Sequence, residues 1–320
     1  MIPRLDISFS LKRQWQFWFG EEYSPLRNEF LLNYARSGIT LVLSEFCKGQ
    51  NVGVMTYNCY TVASAIKNAG CNPVFLDVTN SLTLDVNDPK IRLCDAIVVT
   101  NLFGIRNDID LISTKYPQIL IVVDNAHGYG IGNEGDFTVY SINQGKCPSL
   151  GPGGILVVNN EKYINAINSY MKSCEDIKLL EQIKIFFLML IKAFLYKPLI
   201  YEYITRKIKS LGIFSSNIST VPIKRMCSGV SRLYNSWLCN ESSVLQKPFM
   251  TVIHTKNQQL IINKYSKEGI EVDTHFKKCI EWAKEFGYVD GSCPTAERLT
   301  LELVMVPTYF ENNYKHNKTK

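Results

Sequence analysis

Asp124 closes the run Ile121-Val122-Val123-Asp124-Asn125-Ala126-His127-Gly128, and Lys146 closes a second one, Tyr140-Ser141-Ile142-Asn143-Gln144-Gly145-Lys146. An apolar β-branched stretch ending on a carboxylate, then another ending on a serine and a lysine, supplies the two groups that pyridoxal phosphate (PLP) chemistry needs. A lysine amine condenses with the cofactor aldehyde as a Schiff base. A carboxylate against the pyridine nitrogen keeps that nitrogen protonated, so the ring can take up electrons from a substrate carbanion. Each residue also has a plainer explanation. An aspartate at a strand end commonly caps the following turn, and a lysine in a loop is commonly solvated. Lys146 is set apart by the segment on its C-terminal side, Pro148-Ser149-Leu150-Gly151-Pro152-Gly153-Gly154, a glycine-rich loop of the kind that lets backbone approach a ligand closely.

Two further groups belong with this pair. His127, just past Asp124, can hydrogen-bond to or stack on the same ring. A phosphate needs hydroxyls and backbone N–H groups near a helix N-terminus, where the helix dipole favours negative charge. Ala35-Arg36-Ser37-Gly38-Ile39-Thr40-Leu41 offers a small-residue turn before an apolar helical run, with Ser37 as the first candidate hydroxyl, Gly38 beside it and Thr40 in reserve. Ser141 could reach the same phosphate from the sheet. Plain helix capping accounts for Ser37 equally well.

These residues need a frame. Short apolar runs recur at Val52 to Tyr57, Pro73 to Val78, Ala96 to Thr100, Ile119 to Asp124, Phe137 to Ile142 and Gly154 to Val158, with helical segments such as Thr61 to Ala69 and Ile109 to Lys115 between several of them. The alternation predicts an α/β fold with a mostly parallel sheet flanked by helices, whose ligands collect at the carboxyl ends of the strands. From about Glu175 to Ile208 the pattern is helical, and 215–220 reads as a Ser/Asn-rich linker. A smaller α+β unit follows, with helices at Asn257 to Lys267 and Thr274 to Phe286 and a strand at Thr300 to Val306. The expected division is a large domain over 1–214, a small one over 215–311 and a mobile basic tail over 312–320.

Composition sets limits. The chain has 320 residues and 46% hydrophobic content, enough for a buried core. A net charge of +6 is too diffuse to argue for nucleic acid and suits small anions such as phosphates. The 10 cysteines are scattered singly, which favours free thiols in a reducing, cytoplasmic setting and no metal site. The N-terminus lacks an apolar signal core, so export is not expected. The stretch from Ile183 to Pro198 is interrupted by Lys184, Lys192 and Lys197, and its apolar runs fall short of the ~20 residues that span a bilayer. It is expected to pack on the domain or on a second subunit, with contact to a membrane surface through 183–200 as the alternative.

With these residues in place the chain resembles the DegT/StrS type of sugar aminotransferases, PLP enzymes of fold type I. Asp124-Asn125-Ala126-His127-Gly128, Ser141 to Lys146 and the downstream Gly151-Pro152-Gly153-Gly154 are similar to that family's cofactor motifs. Gly70-Cys71-Asn72-Pro73-Val74-Phe75-Leu76-Asp77, Asn101-Leu102-Phe103-Gly104 and Cys293-Pro294-Thr295-Ala296-Glu297-Arg298 extend the likeness. The resemblance implies Lys146 as the Schiff-base lysine, Asp124 as the pyridinium partner, His127 as a ring contact and Ser141 as a phosphate ligand. It puts Cys59 or Tyr60 where an aromatic usually stacks on the ring. It further implies a homodimer, a glutamate amino donor and a nucleotide-linked keto-sugar acceptor, in the service of amino-sugar and surface polysaccharide synthesis. Pro152 stands where the family usually has glutamate. Ile223-Lys224-Arg225 stands where it has Asn-x-Arg, with Lys224 or Arg225 as the electrostatic substitute. A sugar dehydratase on this fold replaces the lysine, which Lys146 argues against; a non-catalytic scaffold is the remaining alternative.

Overall fold

The computed structural model describes residues 7–205, 207, 221–241, 250–272, 274 and 276–307; the expected linker at 215–220 and the tail at 312–320 lie outside them. Its centre is a seven-stranded sheet in the order β1-β7-β6-β5-β4-β2-β3. The strands are β1 (Glu29–Leu32), β2 (Asn51–Met55), β3 (Asn72–Leu76), β4 (Ala96–Thr100), β5 (Leu120–Asn125), β6 (Phe137–Ser141) and β7 (Gly154–Val158). Five of them, β3-β2-β4-β5-β6, run parallel, while β7 is antiparallel to both β6 and β1. Every residue of β4, β5, β6 and β7 is buried. This is the outcome expected of continuous β-branched runs covered on both faces, because parallel sheets need helices on each side.

Register then fixes which side chains meet. Thr100 pairs with Asp124, Asp124 with Val139, and Ser141 with Gly154. Strand order reverses at β2, with β3 on one side and β4 on the other. Such a reversal opens a crevice at the carboxyl ends of the strands, and ligands settle there. Two helices start at that edge: α2 (Ala35–Phe46) and α3 (Tyr60–Asn68). Glycine permits the close seat of α2. A Cβ on Gly38 would lie 3.0 Å from Val139 and 3.4 Å from Leu156, and one on Gly154 only 2.2 Å from the Ala35 nitrogen.

Around this frame stand α1 (Leu11–Phe19), α4 (Ile109–Lys115), α5 (Ile164–Ser173) and α6 (Leu179–Leu195). The inner face of α6 buries Met189 and Gln182, and Phe186 packs on Phe9, Phe17 and Trp18. Its outer face leaves Phe187, Leu188, Ile191 and Phe194 exposed. Among the described residues no helix is long and apolar enough to cross a membrane.

The C-terminal part forms an antiparallel pair, β8 (Met250–His254) with β9 (Leu303–Pro307). Met250, Phe276, Leu299 and Leu303 join the same apolar core as the large sheet. Two expectations need correction here. Thr300 to Val306 is not all strand, because the helix Pro294–Glu302 runs through its first residues before β9 begins. Thr300 donates to the Glu297 carbonyl and Arg298 pairs with Glu302, both helical spacings that an apolar count misses. The helix expected from Thr274 is also shorter, Cys279–Lys284, since Lys277 and Cys279 make turn bonds back to Thr274 and Phe276. That turn carries buried Phe276 into the core.

The Gly154 contacts are backbone on backbone, which side-chain repacking cannot relieve. Gly154→Ala is therefore expected to destabilise the protein by about 3 kcal/mol or more, read as a lowered midpoint in thermal unfolding; an unchanged midpoint would contradict the close seating of α2 on β7.

Candidate active site

A cavity of about 190 Å³ opens at the carboxyl ends of β4, β5 and β6, against the first turns of α2 and α3. Cys59, Asp124, His127, Ser141 and Lys146, all singled out from sequence, line it together. They come from three separate stretches of chain, around Cys59, over 124–127 and over 141–146, and the parallel register is what assembles them.

Asp124 is fully buried at its strand end. The Ala126 N–H donates to its Oδ1 at 3.0 Å, and the Thr100 hydroxyl donates to its Oδ2 at 3.4 Å. Burial raises the Asp124 pKa above the ordinary carboxyl value, and the Ala126 bond, the nearby Lys146 charge and the Thr100 bond pull the other way without cancelling it. Thr100 is in turn fixed by Asn58, whose Nδ2 donates to its Oγ1 at 2.8 Å. The carboxylate is thus held in one position yet short of positive charge.

Lys146 sits at the end of a tight turn in which its N–H donates to the Asn143 carbonyl at 2.9 Å. Gly145 occupies the penultimate position with φ +87°, which only glycine adopts without strain. The Ser149 hydroxyl accepts from the Gly145 N–H at 2.9 Å, and Gln144 Nε2 donates to the Met189 carbonyl of α6 at 3.4 Å, so the loop is tied on both sides. Lys146 is half-buried and faces the cavity wall that carries Asp124.

His127 Nδ1 accepts from the Phe103 N–H at 3.3 Å, which leaves Nε2 as the donor of the neutral ring. Phe103 holds φ +55° in doing so, and its ring stacks on the imidazole at 5.3 Å. Phe276 lies parallel to the imidazole at 6.1 Å. Cys59 is the residue before α3, and its thiol accepts from Thr61. Tyr60 is turned away from the cavity lining onto Trp282, ring to ring at 5.4 Å.

Ser37 and Gly38 are placed differently. Both are buried in the first turns of α2 and neither lines the cavity. Gly38 serves the packing of α2 on the sheet, and the Ser37 hydroxyl is buried without a hydrogen-bond partner. Lys224 and Arg225 are engaged within the chain: Lys224 pairs with Glu181 at 2.9 Å and Arg225 with Asp176 at 3.2 Å. Sequence reading missed Arg36, Asn58 and Thr100, which also line the cavity. Thr100 carried a usable signal, since it ends β4 and pairs in register with Asp124 next to the end of the adjacent β5.

Residues 33–178 match the DegT/DnrJ/EryC1/StrS aminotransferase family. The match covers 146 of the chain's 320 residues, and over this segment the chain is similar to that family. The GDP-perosamine synthase of Escherichia coli O157:H7 is 26% identical over 136 residues, 38% of this chain and 37% of the relative. The UDP-4-amino-4,6-dideoxy-N-acetyl-beta-L-altrosamine transaminase of Campylobacter jejuni is 26% identical over 162 residues, 46% and 43% of the two chains. The chain thus spans less than half the length of either curated relative. Among solved structures, the PLP-form of Spr1654 from Streptococcus pneumoniae superposes with a TM-score of 0.66 at 17% identity, covering 95% of this chain and 92% of the other. PseC from Helicobacter pylori, an aminotransferase involved in pseudoaminic acid biosynthesis, gives 0.64 at 13% identity over 92% and 90%. These likenesses establish the fold, which is the fold-type-I architecture the sequence resemblance implied.

The raised Asp124 pKa has a definite sign. An unfolded aspartate titrates near pH 4; with the folded value higher, stability falls as pH rises from about 4 through the folded value and the penalty is full above it. Asp124→Asn is expected to melt higher than the parent at pH 7 without added ligand, with the gap closing below about pH 4; a gap independent of pH would show that the carboxylate carries no such penalty.

Proposed function

We propose that this chain is a PLP-dependent aminotransferase that moves an amino group from glutamate to a nucleotide-linked keto-sugar, working as a cytoplasmic homodimer. The observation that carries the reading is Asp124 and Lys146 lining one cavity at the carboxyl ends of parallel strands, with His127 and Ser141 beside them. The family segment and the names of the curated relatives support the reaction class and the sugar substrate.

The residues present fit such a cofactor on physical grounds. A flat heterocycle with a protonated nitrogen supplies the cation that buried Asp124 lacks, and the pair then favours both ionised forms. The His127 Nε2–H can donate to an oxygen on the ring. When bound, PLP supplies an electron sink for the carbanion formed on the amino donor. With the group bound, Lys146 Nζ would be the amine that holds its aldehyde and, as a free amine, the base that takes a proton from the donor α-carbon and gives one back. Asp124 would keep the heterocycle nitrogen in its protonated form. Asn58 and Thr100 keep that carboxylate from rotating away.

The test uses the purified full chain. Incubated with PLP it should absorb near about 420 nm and, after borohydride reduction, carry the cofactor on Lys146; glutamate alone should bleach the band. Lys146→Ala is expected to lose both the band and the half-reaction. A Lys146→Ala protein that kept them, or a parent chain with neither, would leave the non-catalytic reading standing.

A further inference from the structure

Resting on the PLP reading and deepening it, we propose that Arg36 is the guanidinium that clamps the cofactor's phosphate, so that this site selects phosphorylated over unphosphorylated pyridoxal. Arg36 is the second residue of α2, a 12-residue helix whose first turn holds no acidic residue and whose N-cap, Tyr34, offers no side-chain bond. A cation in a first turn opposes the helix dipole, and the uncapped N–H groups there need acceptors. Both demands are met by one ligand, an anion.

The side chains around it point the same way. Arg36 lines the cavity that Asp124 and Lys146 line. Its Nε is buried without a hydrogen-bond partner, and among the described residues no carboxylate pairs with it. The guanidinium instead lies over the Tyr34 ring, 4.6 Å from its centroid, and Tyr34 is also a cavity wall. That stacking holds the fork in place without neutralising it. Ser37, the next residue, is buried and stays off the cavity wall, so the unmet donor that faces the cavity is that of Arg36. Leaving a buried guanidinium donor unmet inside a protein is costly, so Arg36 on this wall marks a place for an anionic ligand.

The choice of phosphate follows from what adjoins this turn. Ser141 pairs in register with Gly154, and Gly154 lies against the backbone of Tyr34 and Ala35. Ser141 from the sheet and Tyr34, Ala35 and Arg36 from the uncapped start of α2 therefore line one cavity. A dianion with three acceptor oxygens uses all of them, and bidentate contact with a guanidinium suits it. The other cations that sequence brings to mind, Lys224 and Arg225, are already paired with Glu181 and Asp176.

The experiment titrates the full chain, freed of cofactor, with PLP and with pyridoxal, and follows its melting in inorganic phosphate. Arg36→Met is expected to weaken PLP about tenfold to a hundredfold while pyridoxal affinity stays within about twofold. Arg36→Lys should recover part of the loss, because it keeps the charge and not the fork. Phosphate should raise the melting midpoint of the parent and not of Arg36→Met. Equal weakening of both aldehydes would make Arg36 structural, and no weakening of either would remove it from the site; each overturns the proposal. A parent chain that takes up neither aldehyde sinks the PLP reading instead. The phosphate arm then still decides the anion site: stabilisation of the parent alone upholds it, and equal or absent stabilisation ends it.

Discussion

A carboxylate buried at the end of a central strand and left short of positive charge is the constraint on which the rest of this structure turns. Burying Asp124 is expensive, and the Ala126 N–H, the Thr100 hydroxyl and the charge of Lys146 offset only part of the cost. A protein that folded for stability alone would place an apolar residue there, as it does at the neighbouring positions Val122 and Val123. The strand register, the Asn58–Thr100 bond and the tight turn before Lys146 all serve to hold that one group and its counter-charge in a fixed relation. The energy stored in its incomplete compensation is available to any cationic ligand that fits beside it.

The parts of the fold that sequence made legible are those where one physical rule acts without competition. Ala96–Thr100 and Gly154–Val158 are uniform apolar runs between turn signals, and they are strands with the expected bounds. Ile109–Lys115 begins after a capping aspartate, Asp108, whose carboxylate accepts from the Leu111 N–H, and it too keeps its bounds. The misreadings lie where two rules conflict. Thr300 to Val306 is apolar enough for a strand, yet its first residues belong to the helix Pro294–Glu302, whose start is capped from far away by Asp77 accepting from the Thr295 and Ala296 N–H groups. No local signal announces a cap supplied from more than two hundred residues away. Strand β1 was also illegible, because four residues at a sheet edge owe their conformation to pairing with β7.

The candidate site divides in the same way. Asp124, His127 and Lys146 stand out because their types are unusual in their settings: a charge ending an apolar strand, a histidine beside it, a lysine ahead of a glycine-rich loop. Arg36 does not stand out, since arginine in a helix is ordinary until the helix is known to start there and to point at a cavity. Its neighbour Ser37 drew attention by residue type, while the structure puts the arginine, and not the serine, on the cavity wall. Residue type locates chemistry; only the position of an element's end tells which of two adjacent side chains can deliver it.

The polarity of the cavity carries a final consequence. Asp124 comes from β5, Lys146 from the loop after β6, and Arg36 from the start of α2, which packs on β6 and β7, so the charges run from negative to positive across the sheet. Any ligand that matches this order must be cationic at the β5 end, electrophilic near the lysine amine and anionic toward α2. A ring that meets all three demands can enter in one orientation only, because reversal would set anion against carboxylate and cation against guanidinium, each unfavourable where the local dielectric is low. Orientation is thereby settled by three side chains before any shape-specific contact is made.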